Sequence, residues 1–422
     1  MNKGASELKG FMRDYSYRVV GPVMYEYTRW VISEAQKRGI KRLYFLARDG
    51  YLLCDIAKMI CERNGCDIEC RYFYCSRQSL RMPTYRFIGE ETFDMLCIRG
   101  YYNTPKSVLQ RAKIDGITAG EIYSELNIEN EDECFNKPEF EDFCRKLRAC
   151  KKYREAVILN SERAYAPAVK YFEQERIFEN DTVAIVDSGW TGSMQRSMRQ
   201  ILDTCGFKGK ICGFYFGMFE KPKDARDGEY LTYYFSRDNG IKRRVKFNNN
   251  LFECMLSAPH EMTEGYTIED GIARPVFAKS AYSPELTELI KAQIDGALSY
   301  ASEQREGELN IKASLKKCYK ILKRAMIYPT EYEVKMYSRF VFCDDVTEGY
   351  HMSLSEQNAR RMLGSYMIFS RIIGKIFKRK NKKQPELFWP EGVIASCPAI
   401  LRPWYRMNVG LWNWLKAILK KK

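Results

Sequence analysis

The stretch Val183–Met198, VAIVDSGWTGSMQRSM, most limits what this chain can become. Val183-Ala184-Ile185-Val186 reads as a short strand buried on both faces, since four apolar residues in a row leave no side to turn toward water. Asp187 stands where that strand should end. Ser188-Gly189-Trp190-Thr191-Gly192-Ser193 predicts a tight turn, with Ser193 or Thr191 capping a helix that runs to about Leu202. A strand, a glycine-bearing loop and a helix N-terminus bring free backbone N–H groups and the positive end of a helix dipole beside one carboxylate. That is the plan of an anion site, most often a phosphate site.

The plan recurs upstream. Met24, Tyr27, Val31, Ile32 and Ala35 follow Gly21-Pro22 at helical spacing, and Gly39 ends that helix. Leu43–Ala47 predicts a strand, Arg48-Asp49-Gly50 a turn, and Tyr51 to Ile60 the next helix. Ile68–Tyr74 predicts a third strand, closed by Ser76 and Arg77. Strand, helix and strand in about 30 residues is a βαβ unit, which requires a parallel sheet. Lys210–Met218 and Leu231–Phe235 predict two more strands, and Tyr266–Phe277 a hairpin around Glu269-Asp270-Gly271. Ligands of open α/β sheets sit beyond the carboxyl ends of the strands, so the turns at Asp49, Ser76 and Asp187 are expected at one edge.

The fold class expected is therefore α/β, with a parallel, Rossmann-like sheet, a helical insertion and a helical C-terminal region. Residues 1–103 are expected to form the first half of the α/β domain. Residues 104–178, opened by Thr104-Pro105, form a helical insertion that either caps the site or extends the core. Residues 179–282 complete the α/β domain, 283–377 form a C-terminal helical domain, and 378–422 a basic amphipathic tail.

Composition narrows the chemistry. Of 422 residues, 45% are hydrophobic and 14% aromatic, as in a globular protein. No apolar run approaches about 18 residues, so no membrane-spanning helix is expected. The first residues lack the apolar stretch of a secretory signal, and fifteen cysteines without such a signal suit a reducing cytoplasm. Cys61, Cys66, Cys70 and Cys75 lack the two-residue gap of zinc knuckles and are expected as free thiols. His260 and His351 are the only histidines, which excludes a histidine-rich metal centre and leaves acid–base work mainly to carboxylates and tyrosines.

A carboxylate at a strand end commonly attacks a phosphate or holds Mg²⁺. A haloacid-dehalogenase (HAD) phosphatase needs a second Asp two residues on, where Tyr51 and Gly189 stand instead. A Walker A loop needs a Gly-Lys-Ser/Thr end, which GWTGSMQ lacks. The Asp-x-Gly-x-Thr-Gly-Ser layout resembles the diphosphate-binding loop of type I phosphoribosyltransferases, with Ser188 in place of that loop's second acid; this is a fold-level analogy.

YFLARDGYLL, YCSRQSLRMP, VDSGWTGSMQ and ECMLSAPH together resemble, in order over roughly residues 18–277, a bacterial family described as predicted HAD-superfamily hydrolases. Members occur in surface-polysaccharide gene clusters, often fused to glycosyltransferases. In that family these motifs follow a phosphatase-like domain bearing an Asp-x-Asp signature that this chain lacks. The resemblance thus implies surface-glycan assembly more firmly than hydrolysis. Its motifs carry over Arg48, Asp49, Arg77, Asp187, Gly189, Trp190, Gly192, Gln195, Glu253 and Pro259.

The function expected is an enzyme of bacterial cell-surface polysaccharide biosynthesis, a hydrolase or transferase acting on a phosphorylated or diphosphate-linked sugar. Asp49 and Asp187 bind Mg²⁺ or act as general base. Glu253, the third catalytic candidate, is either a solvent-facing or ion-paired acid or a carboxylate reaching Arg48 or the substrate. Arg48, Gly50, Ser76, Arg77, Gly189, Trp190, Thr191, Gly192, Ser193, Gln195 and His260 are the substrate-binding candidates, Trp190 by stacking on a sugar or base. Two other classes stay open: a non-catalytic module holding a phosphosugar or a glycosyltransferase at the membrane, and a phosphoribosyltransferase-like transferase.

The tail supplies much of the formal +15 charge, with eleven Lys and Arg against two Asp and Glu from Phe377 onward. Together with Trp404, Trp412 and Trp414 it suits an anionic membrane surface, and hence a peripheral position on the inner face of the membrane. A helix docked on the main domain is the alternative. Nucleic acid is not an expected partner, because no binding motif accompanies the charge.

Overall fold

A computed structural model describes residues 3–100, 103–222, 225–226, 228–280, 282–305, 307–342, 352–354, 363 and 387–419. Five strands make one all-parallel sheet: β1 (Arg42–Leu46), β2 (Glu69–Phe73), β3 (Thr182–Trp190), β4 (Lys210–Met218) and β5 (Tyr230–Phe235). Their order is β2-β1-β3-β4-β5. The chain is a Rossmann-like α/β protein, as its apolar runs predict. In this order the chain turns back between β1 and β3, which makes that crevice the switch point where doubly wound sheets bind ligands.

Alternation along the strands feeds two cores. Leu43, Phe45, Ala184, Val186, Phe214 and Phe216 face one side. Tyr44, Leu46, Val183, Ile185 and Ile211 face the other. Both faces of the central strands are covered, which is why Leu43–Leu46, Val183–Val186 and Ile211–Met218 carry no charged residue. On the first face lie α1 (Lys3–Arg18), α2 (Val20–Lys37) and α3 (Gly50–Asn64), whose buried side chains join that core. α1 has no counterpart in the sequence reading, although Leu8, Met12 and Tyr15 form a buried stripe along it.

A run of helices separates β2 from β3: α4 (Arg77–Arg81), α5 (Glu91–Leu96), α6 (Pro105–Arg111), α7 (Gly116–Glu125), α8 (Lys137–Ala149) and α9 (Lys151–Gln174). Thr104 caps α6 with Pro105 at its first position. The run has its own core, from Met82 and Tyr85 through Val108 and Phe140 to Val157. α10 (Ser193–Thr204) links β3 to β4. After β5 come α11 (Ile241–Arg244) and α12 (Asn249–Met255), then the hairpin β6 (Thr263–Glu269) and β7 (Ile272–Phe277). Asp270 and Gly271 at its turn both have positive φ, the conformation that two-residue hairpin loops require.

α13 (Pro284–Glu303), capped by Ser283, α14 (Ile311–Ile327) and α15 (Glu331–Tyr337) make up most of the described part of residues 283–377, with a short antiparallel pair, Val341–Phe342 and Met352–Ser353, beside them. Beyond it lie a short helix, Pro390–Ala395, and a long C-terminal helix, Arg402–Leu419. The C-terminal helix is docked: Arg244 donates to the carbonyl of Ala417 at 2.9 Å, and Arg402 pairs with Glu331 at 2.6 Å. The basic run 378–383 and the lysines 420–422 lie outside the described residues, as does His351. No helix among the described residues is long and apolar enough to cross a membrane.

Candidate functional site

The site is built where β1 and β3 end side by side. β1 is buried throughout, apolar after Arg42, and stops at Leu46; Arg48 and Asp49 follow, and α3 starts at Gly50. Gly50 is required there, because a Cβ would sit 2.6 Å from the carbonyl carbon of Phe45. Any side chain would push α3, and Asp49 with it, away from the sheet.

β3 departs from the expected plan. The turn predicted to begin at Ser188 is strand as far as Trp190, because Gly189 and Trp190 pair with Gly217 and Met218 of β4. Gly189 has φ +116°, and a Cβ on it would strike the carbonyl oxygen of Gly217. Trp190 itself is held at φ +74°, an unfavourable conformation for a bulky residue. Its ring packs among Phe219, Phe235, Phe247 and Phe252. Neither Thr191 nor Ser193 caps α10. The cap position belongs to Gly192, at φ +67°, and Ser193 is the first helical residue. Thr191 is exposed and Ser193 half-buried.

The chain crosses between the two strand ends through Ser188, whose hydroxyl donates to the carboxylate of Asp49. From the β4 side, Tyr27 of α2 donates to the carbonyl oxygens of Asp187 and Phe214, at 2.9 and 2.8 Å. Glu253, carried on α12 behind buried Leu251 and Phe252, accepts the indole N–H of Trp190 at 2.6 Å. Arg48 donates to the hydroxyl of Tyr282 at 3.0 Å. Asp49, Asp187, Glu253 and Arg48 thus share one electrostatic neighbourhood at the switch point.

That neighbourhood treats the acids unequally. Burial pushes the Asp187 carboxyl well above the usual carboxylate range; the Asp49 and Glu253 charges add to this, and the amides of Ser188 and Gly189 oppose it. Asp49 is raised by burial too, but the Ser188 hydroxyl and the Arg48 guanidinium both pull it back. Both carboxyls are raised, Asp187 the more strongly, so of the two Asp187 holds a proton the more readily.

Other candidates are engaged elsewhere. His260 lies between the Glu261 carbonyl at Nδ1 (2.8 Å) and the Tyr72 hydroxyl at Nε2 (2.6 Å). A carbonyl can only accept, so Nδ1 carries the proton and Nε2 accepts from Tyr72. Burial, which lowers its pKa, keeps this ring neutral, and Arg48 adds to the effect. The Gln195 side chain accepts from Tyr215 at 2.8 Å and donates to the Glu229 carbonyl at 3.2 Å, tying α10 to the sheet. Ser76 caps α4 and donates to the Thr263 carbonyl at 2.6 Å. Arg77 keeps company with Arg81, the next turn of α4. Sequence reasoning missed Ser188, Tyr27, Tyr72 and Tyr282 as site-shaping groups. Of these only Ser188 carried a signal, as the residue standing in for a second acid.

Among the described residues no group of three or more His, Cys, Asp or Glu is arranged to hold a metal ion. Cys61, Cys66, Cys70 and Cys75 are free thiols. A cavity of about 900 Å³ lies at the opposite edge, where β3 and β4 begin, lined by Asp181, Lys208 and Lys210 among others. It is an open groove remote from every strand-end acid, and size alone does not make it the site. Fold and site together define a doubly wound α/β protein with an acidic crevice at its switch point. No protein-family model matches the chain, and no curated protein matches it.

Proposed function

We propose that the acidic crevice binds a phosphorylated or diphosphate-linked sugar, as a hydrolase or transferase of cell-surface polysaccharide assembly. The observation that most supports this reading is the convergence of Asp49 and Asp187 at the switch point, with Arg48 beside them. Two buried like charges call for a proton or a cation between them. Mg²⁺ is commonly held by one or two carboxylates, with substrate phosphate and water completing its shell, and Asp49 and Asp187 suit that number. Bound there, Mg²⁺ would neutralise the phosphate and polarise its P–O bonds. Arg48 supplies a guanidinium to a phosphate oxygen. Without the metal the same pair would instead divide acid–base work: Asp49, the less strongly raised of the two, accepts a proton from the attacking hydroxyl, and Asp187 hands one to the leaving oxygen.

The membrane part of the reading is favoured by the C-terminal helix. Trp404, Met407, Leu411, Trp414 and Ile418 recur every three or four residues and are all at least 38% exposed. Val409 on the opposite side is buried against the body. One face docks while the other offers an apolar, tryptophan-bearing stripe next to the basic end of the chain, the pattern of a helix lying in an anionic membrane surface. A glycosyltransferase partner at that surface belongs to the same reading.

The test is binding and turnover by the full chain, with and without Mg²⁺. Ligands are sugar phosphates, nucleotide sugars, polyprenyl phosphates and phosphoribosyl pyrophosphate, and phosphorus NMR follows products. Turnover of a sugar phosphate that disappears in a folded Asp187→Asn variant supports the enzyme. Binding without turnover favours the non-catalytic module, and transfer from phosphoribosyl pyrophosphate the third class. No binding of any of these sinks the proposal. For the helix, flotation with phosphatidylglycerol but not phosphatidylcholine vesicles is expected, lost on Trp404→Ala/Trp414→Ala.

A further inference from the structure

Arg81 closes α4 and is only 8% exposed, yet its Nε has no hydrogen-bond partner. Among the described residues it forms no ion pair either. A buried guanidinium N–H left this way is costly, because its hydration is lost and no hydrogen bond replaces it. Its surroundings make matters worse. Arg77, one turn earlier on the same face of α4, Arg196 in the first turn of α10 and Arg111 at the end of α6 all bear on it with like charge. α4 packs directly against α10. Arg196 is partly offset by Glu91, at 2.6 Å, and Arg111 donates to the carbonyl oxygens of Leu96 and Ile98 at 2.9 and 2.6 Å. Arg77 is half-buried, and its side chain has no hydrogen bond or ion pair among the described residues.

We propose that Arg77, Arg81, Arg111 and Arg196 form a second anion site, in the seam between α4, α6 and α10, that takes a phosphoryl group. Guanidinium forks match phosphate oxygens in pairs, and several of them around one point suit a dianion better than a single carboxylate. The helical unit between β2 and β3 is thereby joined to the sheet through its ligand, since α6 lies in that unit's core while Leu80 of α4 and the buried face of α10 lie in the sheet's. This site does not depend on the acidic crevice. Its ligand is recognised by arginine alone and needs neither Asp187 nor Mg²⁺.

Calorimetric titration of the full chain tests it, with inorganic phosphate and with a hexose 1-phosphate, against chloride at equal ionic strength and without Mg²⁺. Phosphate is expected to bind wild type and Asp187→Asn alike. Arg81→Met should weaken it about tenfold or more, the usual loss on removing a charge-assisted hydrogen bond. Without phosphate this variant should melt no lower than wild type, because an unpaired buried charge has gone. Should Arg81→Met fail to fold, Arg77→Ala and Arg196→Ala decide by the same loss. Tighter binding of the hexose phosphate assigns the site to substrate; equal binding assigns it to free phosphate. Unchanged phosphate affinity in the arginine variants overturns the proposal. So does loss of binding in Asp187→Asn alone, or no preference for phosphate over chloride.

Discussion

Ser188 of β3 donates its hydroxyl to the carboxylate of Asp49, which lies between β1 and α3, 139 residues earlier in the chain. The contact spans the switch point of the sheet and ties together the two turns that bear the acids. Ser188→Ala should leave Asp49 without one of the two groups that keep it charged, so its pKa should rise further. If Asp49 works as a carboxylate, the acidic limb of the pH–rate profile should move to higher pH, with a stability loss of about 1.5–3 kcal/mol. An unmoved limb would separate Asp49 from the chemistry.

Asp187→Asn should abolish turnover and yet stabilise the fold at neutral pH. The folded pKa of Asp187 lies above its unfolded value, so its contribution is fully present below the unfolded pKa and is lost as pH rises through the folded one. Asparagine stays neutral throughout. The melting temperature of the variant should therefore exceed that of wild type at pH 7, and the gap should close toward pH 4. A gap that widens on acidification would contradict the assignment of Asp187 as the proton holder.

Tyr27 joins the carbonyl oxygens of Asp187 and Phe214 from α2. Tyr27→Phe keeps the ring and removes the donor, which should cost about 1 kcal/mol or somewhat more in chemical denaturation, the worth of a buried hydrogen bond. Because the bond pins the strand end beneath Asp187, turnover should fall by more than the stability change alone explains. Full activity in a destabilised variant would confine Tyr27 to a packing role.

Glu391, buried at the start of the helix Pro390–Ala395, has its carboxyl pushed up to about 7 by burial. Its stabilising contribution is complete below its ordinary value of 4.5 and is lost as pH rises through about 7. Glu391→Gln should then match wild type near pH 4 and melt higher above pH 7. Parallel pH curves for the two proteins would refute this.

The strands were legible because each is an apolar run too short for a helix and bounded by charge or glycine, as in Arg42–Leu46 and Lys210–Met218. The strand–acid–helix plan at Asp49 and Asp187 was legible for the same reason. Helix α1 was not read, because Leu8, Met12 and Tyr15 are spread among charged and small residues and declare a face only once α13 covers them. The extension of β3 to Trp190 was hidden too: glycine and serine signal a turn locally, and only pairing with Gly217 and Met218 makes them strand.

Local pattern by itself determined the parallel α/β class and the presence of an acid at the end of two strands, since both follow from apolar periodicity and from where it stops. It also showed Glu253 without deciding whether that acid meets solvent or the site. Tertiary structure alone decided that β1 and β3 are neighbours, that Ser188 reaches Asp49, that Glu253 holds Trp190 and that Arg196 stands with Arg81. The physical reason is that each of these depends on sheet order and helix packing. Those are set by the burial of both sheet faces at once, a property of the whole chain that no single stretch contains.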